Sequence, residues 1–208
     1  MSDLITIYDE FARCYDEHRA VFNMDAIIAD FCTALGGRRG ALLDLGCGAG
    51  VPFAQTFAER GWDVTGVDFS PEMLRLARRH VPGMRTVEND MRAVDFPVAS
   101  FDAVSIVYAL FHIPAEDQFR LLESIYQWLR PGGRLLFTYA CEEYTGQPEF
   151  DGCKEFMGRM LYYSHRQPSE LYERLGRIGY AGIDGEYRAI GGETFLWVTA
   201  GKDDWKRR

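Results

Sequence analysis

The run Leu42-Leu43-Asp44-Leu45-Gly46-Cys47-Gly48-Ala49-Gly50 sets an apolar segment, an acid and three alternate glycines directly before Val51-Pro52-Phe53-Ala54. A buried strand, a sharp turn and the start of a helix are thereby compressed into about a dozen residues. Glycines at 46, 48 and 50 let the backbone take positive φ and let a ligand approach the main chain with no Cβ in the way. The first amides of the new helix are orphan donors carrying partial positive charge, suited to a carboxylate or a phosphate.

The wording of the loop narrows the ligand. A dinucleotide fingerprint needs G-x-G-x-x-G/A, and counting from Gly46 and Gly48 the last place is filled by Val51. A phosphate-binding P-loop needs Gly-Lys-Ser/Thr after its glycines, and the first basic residue here is Arg60. Asp44, at the strand end, repels a pyrophosphate but favours an ammonium. A carboxylate for the helix amides and a cation for the acid are what S-adenosylmethionine (SAM) carries.

Four further segments follow in order: Val64-Thr65-Gly66-Val67-Asp68-Phe69-Ser70-Pro71, then Glu88-Asn89-Asp90-Met91, then Phe101-Asp102-Ala103-Val104-Ser105-Ile106-Val107, then Leu129-Arg130-Pro131-Gly132-Gly133-Arg134-Leu135-Leu136-Phe137. With the glycine run, this series resembles the class I SAM-dependent methyltransferases of the small-molecule type, over most of the chain. The resemblance implies an α/β fold: a doubly wound, mostly parallel seven-stranded sheet with helices on both faces, Rossmann-like, plus a small cap. It also implies SAM as cofactor.

A length of 208 residues predicts one domain, 1–208, with an N-terminal helical segment over 1–38 and a cap insertion over 141–166. The net charge of −8 argues against a protein that grips nucleic acid by neutralising phosphates. Five widely spaced cysteines without a C-x-x-C read as reduced thiols of a cytoplasmic protein. No targeting signal or bilayer-length apolar run is visible, so no membrane partner is expected. A monomer or a homodimer is expected.

Apolar positions at Leu4, Ile7, Tyr8, Phe11 and Tyr15 have helical spacing, and a second helical stretch over 20–35 stops at Gly36-Gly37. From residue 41 strands and helices alternate: strands over 41–45, 63–68, 84–88, 101–107 and 133–140, helices over 51–60, 71–80 and 115–129. The stretch 141–166 breaks this rhythm with Tyr, Phe, Met and Gly, and reads as an excursion over the site. A helix over 168–178 and strands near 180–188 and 194–200 complete the sheet.

Ligands in open parallel sheets sit beyond the carboxyl ends of the strands, where Asp44, Asp68, Asp90 and Val107 fall. The resemblance implies that the loop Gly46, Cys47, Gly48 and Gly50 holds the amino-acid end of SAM and that Asp68 holds the ribose diol. It further implies that Phe69 and Met73 border the adenine and that Val107 faces the methionine end. Asn89, Asp90 and Met91 offer an acceptor for the adenine amine and a backbone amide for a ring nitrogen. Tyr15 is in position to close over the cofactor, or to serve as plain core. His165, within the cap, and His112, after the fourth strand, are the candidate bases, each with a purely structural alternative. No metal-ligand spacing occurs, so no metal is expected.

Methyl transfer asks for alignment and exclusion of water more than for acid–base groups. The expected function is methyl transfer from SAM to an O or N atom of a small-molecule acceptor. Two alternatives stand beside it: a protein methyltransferase, and a SAM- or S-adenosylhomocysteine-binding protein with a non-methylating or sensing role. Nucleic-acid methylation is disfavoured, because Val107-Tyr108-Ala109-Leu110 occupies the place of the adenine-N6 signature and no Pro-Cys nucleophile is present.

Overall fold

The computed structural model describes residues 2–18 and 23–204, without the side chains of 2–3 and 13–18. Seven strands form one sheet: β1 (Ala41–Leu45), β2 (Asp63–Asp68), β3 (Arg85–Glu88), β4 (Phe101–Ile106), β5 (Leu129–Tyr139), β8 (Tyr180–Ile190) and β9 (Glu193–Lys202). Their order is β3-β2-β1-β4-β5-β9-β8, with β9 antiparallel to both of its neighbours and the other pairs parallel. The doubly wound α/β architecture read from the sequence is the one observed.

Period-2 alternation explains why both faces are covered. Leu43 and Leu45 of β1 enter one buried cluster with Val104, Ile106, Leu135 and Phe137, whereas Leu42 enters a second with Val64, Ala103 and Leu136. A strand that is apolar on both faces needs cover on both. Helix α5 (Ala115–Trp128) contributes Leu122 and Ile125 to the first cluster. The second is covered by Phe31 of α2 (Asp25–Ala34) and by Phe53 and Phe57 of α3 (Phe53–Glu59), whose rings lie 5.1–6.1 Å apart.

Several boundaries differ from the expectation, for physical reasons. Helix α3 begins after Pro52, because 51 and 52 form a turn in which the Gly50 carbonyl accepts from the Gln55 amide. Strand pairing of β5 begins at Leu129, opposite Phe101, and resumes at Arg134 opposite Ala103, so 130–133 bulge out of the ladder. The stretch 141–166 holds a short helix, α6 (Glu142–Thr145), and an antiparallel hairpin, β6 (Phe150–Phe156) with β7 (Arg159–His165). Its turn, Met157-Gly158, has φ of 49° and 75°, the two-residue turn that matches strand twist.

Helix α1 (Ser2–His18) packs against α4 (Pro71–His80) through a shared cap. Ser70 caps α4: its Oγ accepts from the Met73 amide at 3.1 Å and donates to the Asp9 carboxylate of α1. Ser70 is fully buried, so a lost partner is not replaced by bulk water. Ser70→Ala removes the cap and leaves the Asp9 carboxylate with the longer contact from the Glu72 amide, at 3.4 Å, and should lower unfolding free energy by about 1–2 kcal/mol in urea titration. A change below about 0.5 kcal/mol would contradict this account of how α1 is fastened.

Candidate active site

The strand order reverses between β1 and β4, and a crevice opens at the carboxyl edge of that switch point. A cavity of about 600 Å³ fills it. Its floor is the 46–50 loop, and its roof is made by α1 (Leu4, Tyr8, Phe11) and the β6–β7 hairpin (Phe156, Met157, Met160). Tyr8 contacts Phe69 at 5.6 Å and His112 at 6.0 Å, and Phe11 meets Phe156 at 6.0 Å, so the two parts of the roof meet above the floor. The exposed Arg159–Glu10 ion pair at 2.6 Å joins them at the rim.

The glycine loop is shaped from both sides. Gly46, Gly48 and Gly50 have φ of 70°, 51° and 77°, a region that L side chains rarely adopt. The Gly46 and Cys47 amides donate to the Val67 carbonyl at 2.8 and 3.0 Å, fixing the loop to the end of β2. A Cβ at Gly46 would collide with Ala109, whereas a Cβ at Gly48 would have nothing within 4 Å. Gly48 therefore leaves open space on the cavity floor. From behind, the His80 Nδ1 donates to the Ala49 carbonyl at 3.1 Å.

Asp68 ends β2, and its carboxylate accepts from the Gly48 amide at 2.8 Å and from the Ser70 amide at 2.9 Å, one per oxygen. A carboxylate has about four lone-pair positions, so these two amides do not exhaust it. Burial raises the Asp68 pKa against the opposing effect of those amides. Asp44, opposite Ser105 on β4, accepts from the Ser105 hydroxyl at 2.6 Å. Complete burial pushes its pKa up to about 7, lowered in part by Ser105 and raised further by the Asp68 charge.

Beyond β4 the chain turns at Tyr108, whose φ of 53° is unusual for a non-glycine residue and whose amide donates to Thr138 Oγ1 at 2.6 Å. That turn leads into the 3-10 segment Leu110–His112. His112 lines the cavity, and its Nδ1 donates to the Tyr162 carbonyl at 2.8 Å. A carbonyl only accepts, so Nδ1 carries the proton and Nε2 keeps its lone pair. Burial pushes the His112 pKa down to about 4, partly offset by the Tyr162 carbonyl, and the ring is neutral at pH 7.

Asp44, Gly46, Cys47, Gly48, Gly50, Asp68, Phe69, Met73, Asp90, Met91, Val107 and His112 all line this one cavity. Two anticipated residues do not. His165 is fully buried behind the hairpin, with Nε2 2.8 Å from Thr145 Oγ1 and its ring stacked on Phe150 at 6.5 Å. It is a packing residue, and the expectation of a base there is corrected. Asn89 is exposed outside the lining, and its Oδ1 accepts from the Asp90 amide at 2.9 Å. Asp90 faces the cavity with its carboxylate engaged by Arg92 at 2.6 Å; burial opposes ionisation, but the arginine outweighs it and the pKa falls. Tyr15 lies in α1, and its side chain is outside the described residues.

Sequence reasoning missed Glu193, Phe195 and Phe111 as wall residues, and saw Tyr8 and Phe11 only as helix core. The signal for the two α1 aromatics was present in their spacing, since they share a helix face. Among the described residues no group of three or more His, Cys, Asp or Glu is placed to hold a metal ion, and no helix is long and apolar enough to cross a membrane.

Comparison with known proteins bears on this geometry. The profile of the methyltransferase-domain family matches residues 42–133, the span from the glycine loop to the start of the fifth strand. Demethylmenaquinone methyltransferase of Renibacterium salmoninarum is 29% identical over 140 residues, 64% of this chain and 57% of that protein. Ubiquinone biosynthesis O-methyltransferase of Idiomarina loihiensis is 35% identical over 102 residues, 47% of this chain and 41% of that protein. The chain thus spans about half the length of the curated relatives it matches. Among solved structures, Burkholderia thailandensis 1,6-didemethyltoxoflavin-N1-methyltransferase, with bound 1,6-didemethyltoxoflavin and S-adenosylhomocysteine, superposes with a TM-score of 0.71 at 25% identity, covering 95% of this chain and 88% of that one. Glycine loop, sheet order, matched profile and superposition agree: residues 42–133 match the methyltransferase-domain family, and the chain has the fold of the SAM-dependent methyltransferases it resembles.

Proposed function

We propose that this protein transfers the methyl group of SAM to an O or N atom of a small-molecule acceptor held in the roofed cavity. The observation that carries the reading is the pairing of a bare, positive-φ floor at Gly48 with two buried acids, Asp44 and Asp68. The residues present fit SAM: Gly48 leaves a cradle that a Cβ would occupy, and both acids line the same cavity as the glycine loop. Relatives named for demethylmenaquinone and for 1,6-didemethyltoxoflavin support a small-molecule acceptor.

When bound, SAM supplies an electrophilic methyl group on a sulfonium centre. The 46–50 loop would hold the amino-acid end, with Asp44 balancing its ammonium. Asp68 would accept from the ribose diol through its remaining acceptor capacity. Phe69, Met73 and Met91 would border the base. The roof aromatics exclude water, which keeps these electrostatic interactions strong. His112 Nε2 is the unprotonated acceptor available to take a proton from the attacking group, and its tautomer is fixed by Tyr162.

If Asp68 holds the diol, Asp68→Ala should weaken S-adenosylhomocysteine binding at least tenfold by calorimetry, from the loss of about 1.5–3 kcal/mol of charged hydrogen bonding. An unchanged affinity in a folded variant would remove Asp68 from the site. Production of S-adenosylhomocysteine by the wild-type protein from SAM and a cell extract tests the reaction itself, and none would contradict methyl transfer.

Asp44 couples the site to pH. Its folded pKa of about 7 lies above the unfolded carboxylate value, so the folded state binds the extra proton. The stability it contributes is present at low pH and is lost as pH rises from about 4 to 7. Asp44→Asn keeps an acceptor for Ser105 and removes the ionisation. It should therefore raise ligand-free stability at pH 8 by roughly 1–3 kcal/mol while making stability less dependent on pH. Denaturant titrations from pH 5 to 8 check this, and an unaltered pH slope in the variant would refute it.

A further inference from the structure

Asp44 and Asp68 stand at one end of the cavity, and a third carboxylate stands on another wall. Glu193 is the first residue of β9, delivered by the Gly191-Gly192 turn, whose φ values are 64° and 85°. Because β9 runs antiparallel to β5, its first residues fall at the carboxyl edge of the sheet, level with the cavity. Glu193 lines that cavity and is half-buried. Burial raises its pKa; the Tyr144 hydroxyl, which hydrogen-bonds to it, and the Lys154 ammonium act against that rise. Lys154 is itself held by the Tyr144 carbonyl, at 2.6 Å.

The wall beside Glu193 is a stack of rings. Phe111 lies nearly parallel to Phe195, at 4.9 Å and 14°, and to Tyr163, at 5.4 Å and 20°. Among the described residues lining the cavity, Arg92 is the one lysine or arginine, and it is paired with Asp90 and Asp117. An anionic acceptor would face Asp44, Asp68, Asp90 and Glu193, with that arginine already engaged and the Lys154 ammonium near Glu193 held by the Tyr144 carbonyl. A flat molecule with a basic nitrogen would lie against the rings and give Glu193 the donor its remaining lone pairs lack.

We propose that Glu193 is the specificity-determining residue of the acceptor half, selecting an aromatic or heteroaromatic molecule that bears a cationic or N–H-donating nitrogen group and rejecting carboxylates. That the molecule is a methyl acceptor rests on the methyl-transfer reading above. The preference itself is a property of the pocket.

Two probes with one ring and opposite charges test it: tryptamine and indole-3-propionate, titrated calorimetrically into the protein at saturating S-adenosylhomocysteine. Tryptamine should bind at least about tenfold tighter. Glu193→Gln should bring the two within about twofold and leave S-adenosylhomocysteine affinity unchanged. Equal or tighter binding of the propionate, no binding of either probe, or an undiminished preference in Glu193→Gln would each overturn the proposal. S-adenosylhomocysteine is titrated first: if it fails to bind, the methyl-transfer reading falls, and the probe preference, measured in the same protein, still decides the role of Glu193.

Discussion

The buried carboxylate of Asp68 is the joint on which the site depends. One oxygen accepts from Gly48 and the other from Ser70, so a single side chain ties the glycine loop to the cap of α4. Ser70 in turn donates to Asp9, which brings α1 into the same network. Floor, β2 end and roof helix are thus coupled through one acid. Because burial disfavours its charge, the amides that compensate are structural requirements.

Electrostatics give the cavity its selectivity. Asp44 and Asp68 share a site from which water is largely excluded, and the Asp68 charge raises the cost of ionising Asp44. Such a pair is relieved by a cation, which supports the proposed fit of this strand–loop–helix geometry to a sulfonium nucleoside. His112 complements this arrangement. As a neutral ring it adds no positive charge to repel the ligand, and its tautomer is set by Tyr162 on β7. The hairpin therefore serves both as roof and as the element that orients the histidine.

Much of this was legible in the chain. The strand at 41–45, the acid and the alternate glycines needed only periodicity and the conformational freedom of glycine. What resisted reading was set by tertiary placement. His165 sits in an aromatic run like that of a ligand pocket, but the hairpin turns it inward onto Phe150, Tyr139 and Thr145. Asn89 chooses its own backbone over the cavity, a local rotamer outcome that residue type does not disclose. Glu193 reaches the site only because β9 inserts between β5 and β8, a strand order invisible in the spacing of the last two strands. The hairpin was hidden by Met157, a residue seldom found at the positive φ its turn requires.

The central claim is that the floor at 46–50 and the acid at the end of β2 together hold a SAM-type nucleoside. A crystal structure of the protein with S-adenosylhomocysteine tests it most directly. The account predicts the ribose hydroxyls on the Asp68 carboxylate and the amino-acid end over Gly48, beside Asp44. A nucleoside bound elsewhere in the cavity, with Gly48 and Asp68 making no contact to it, would contradict it.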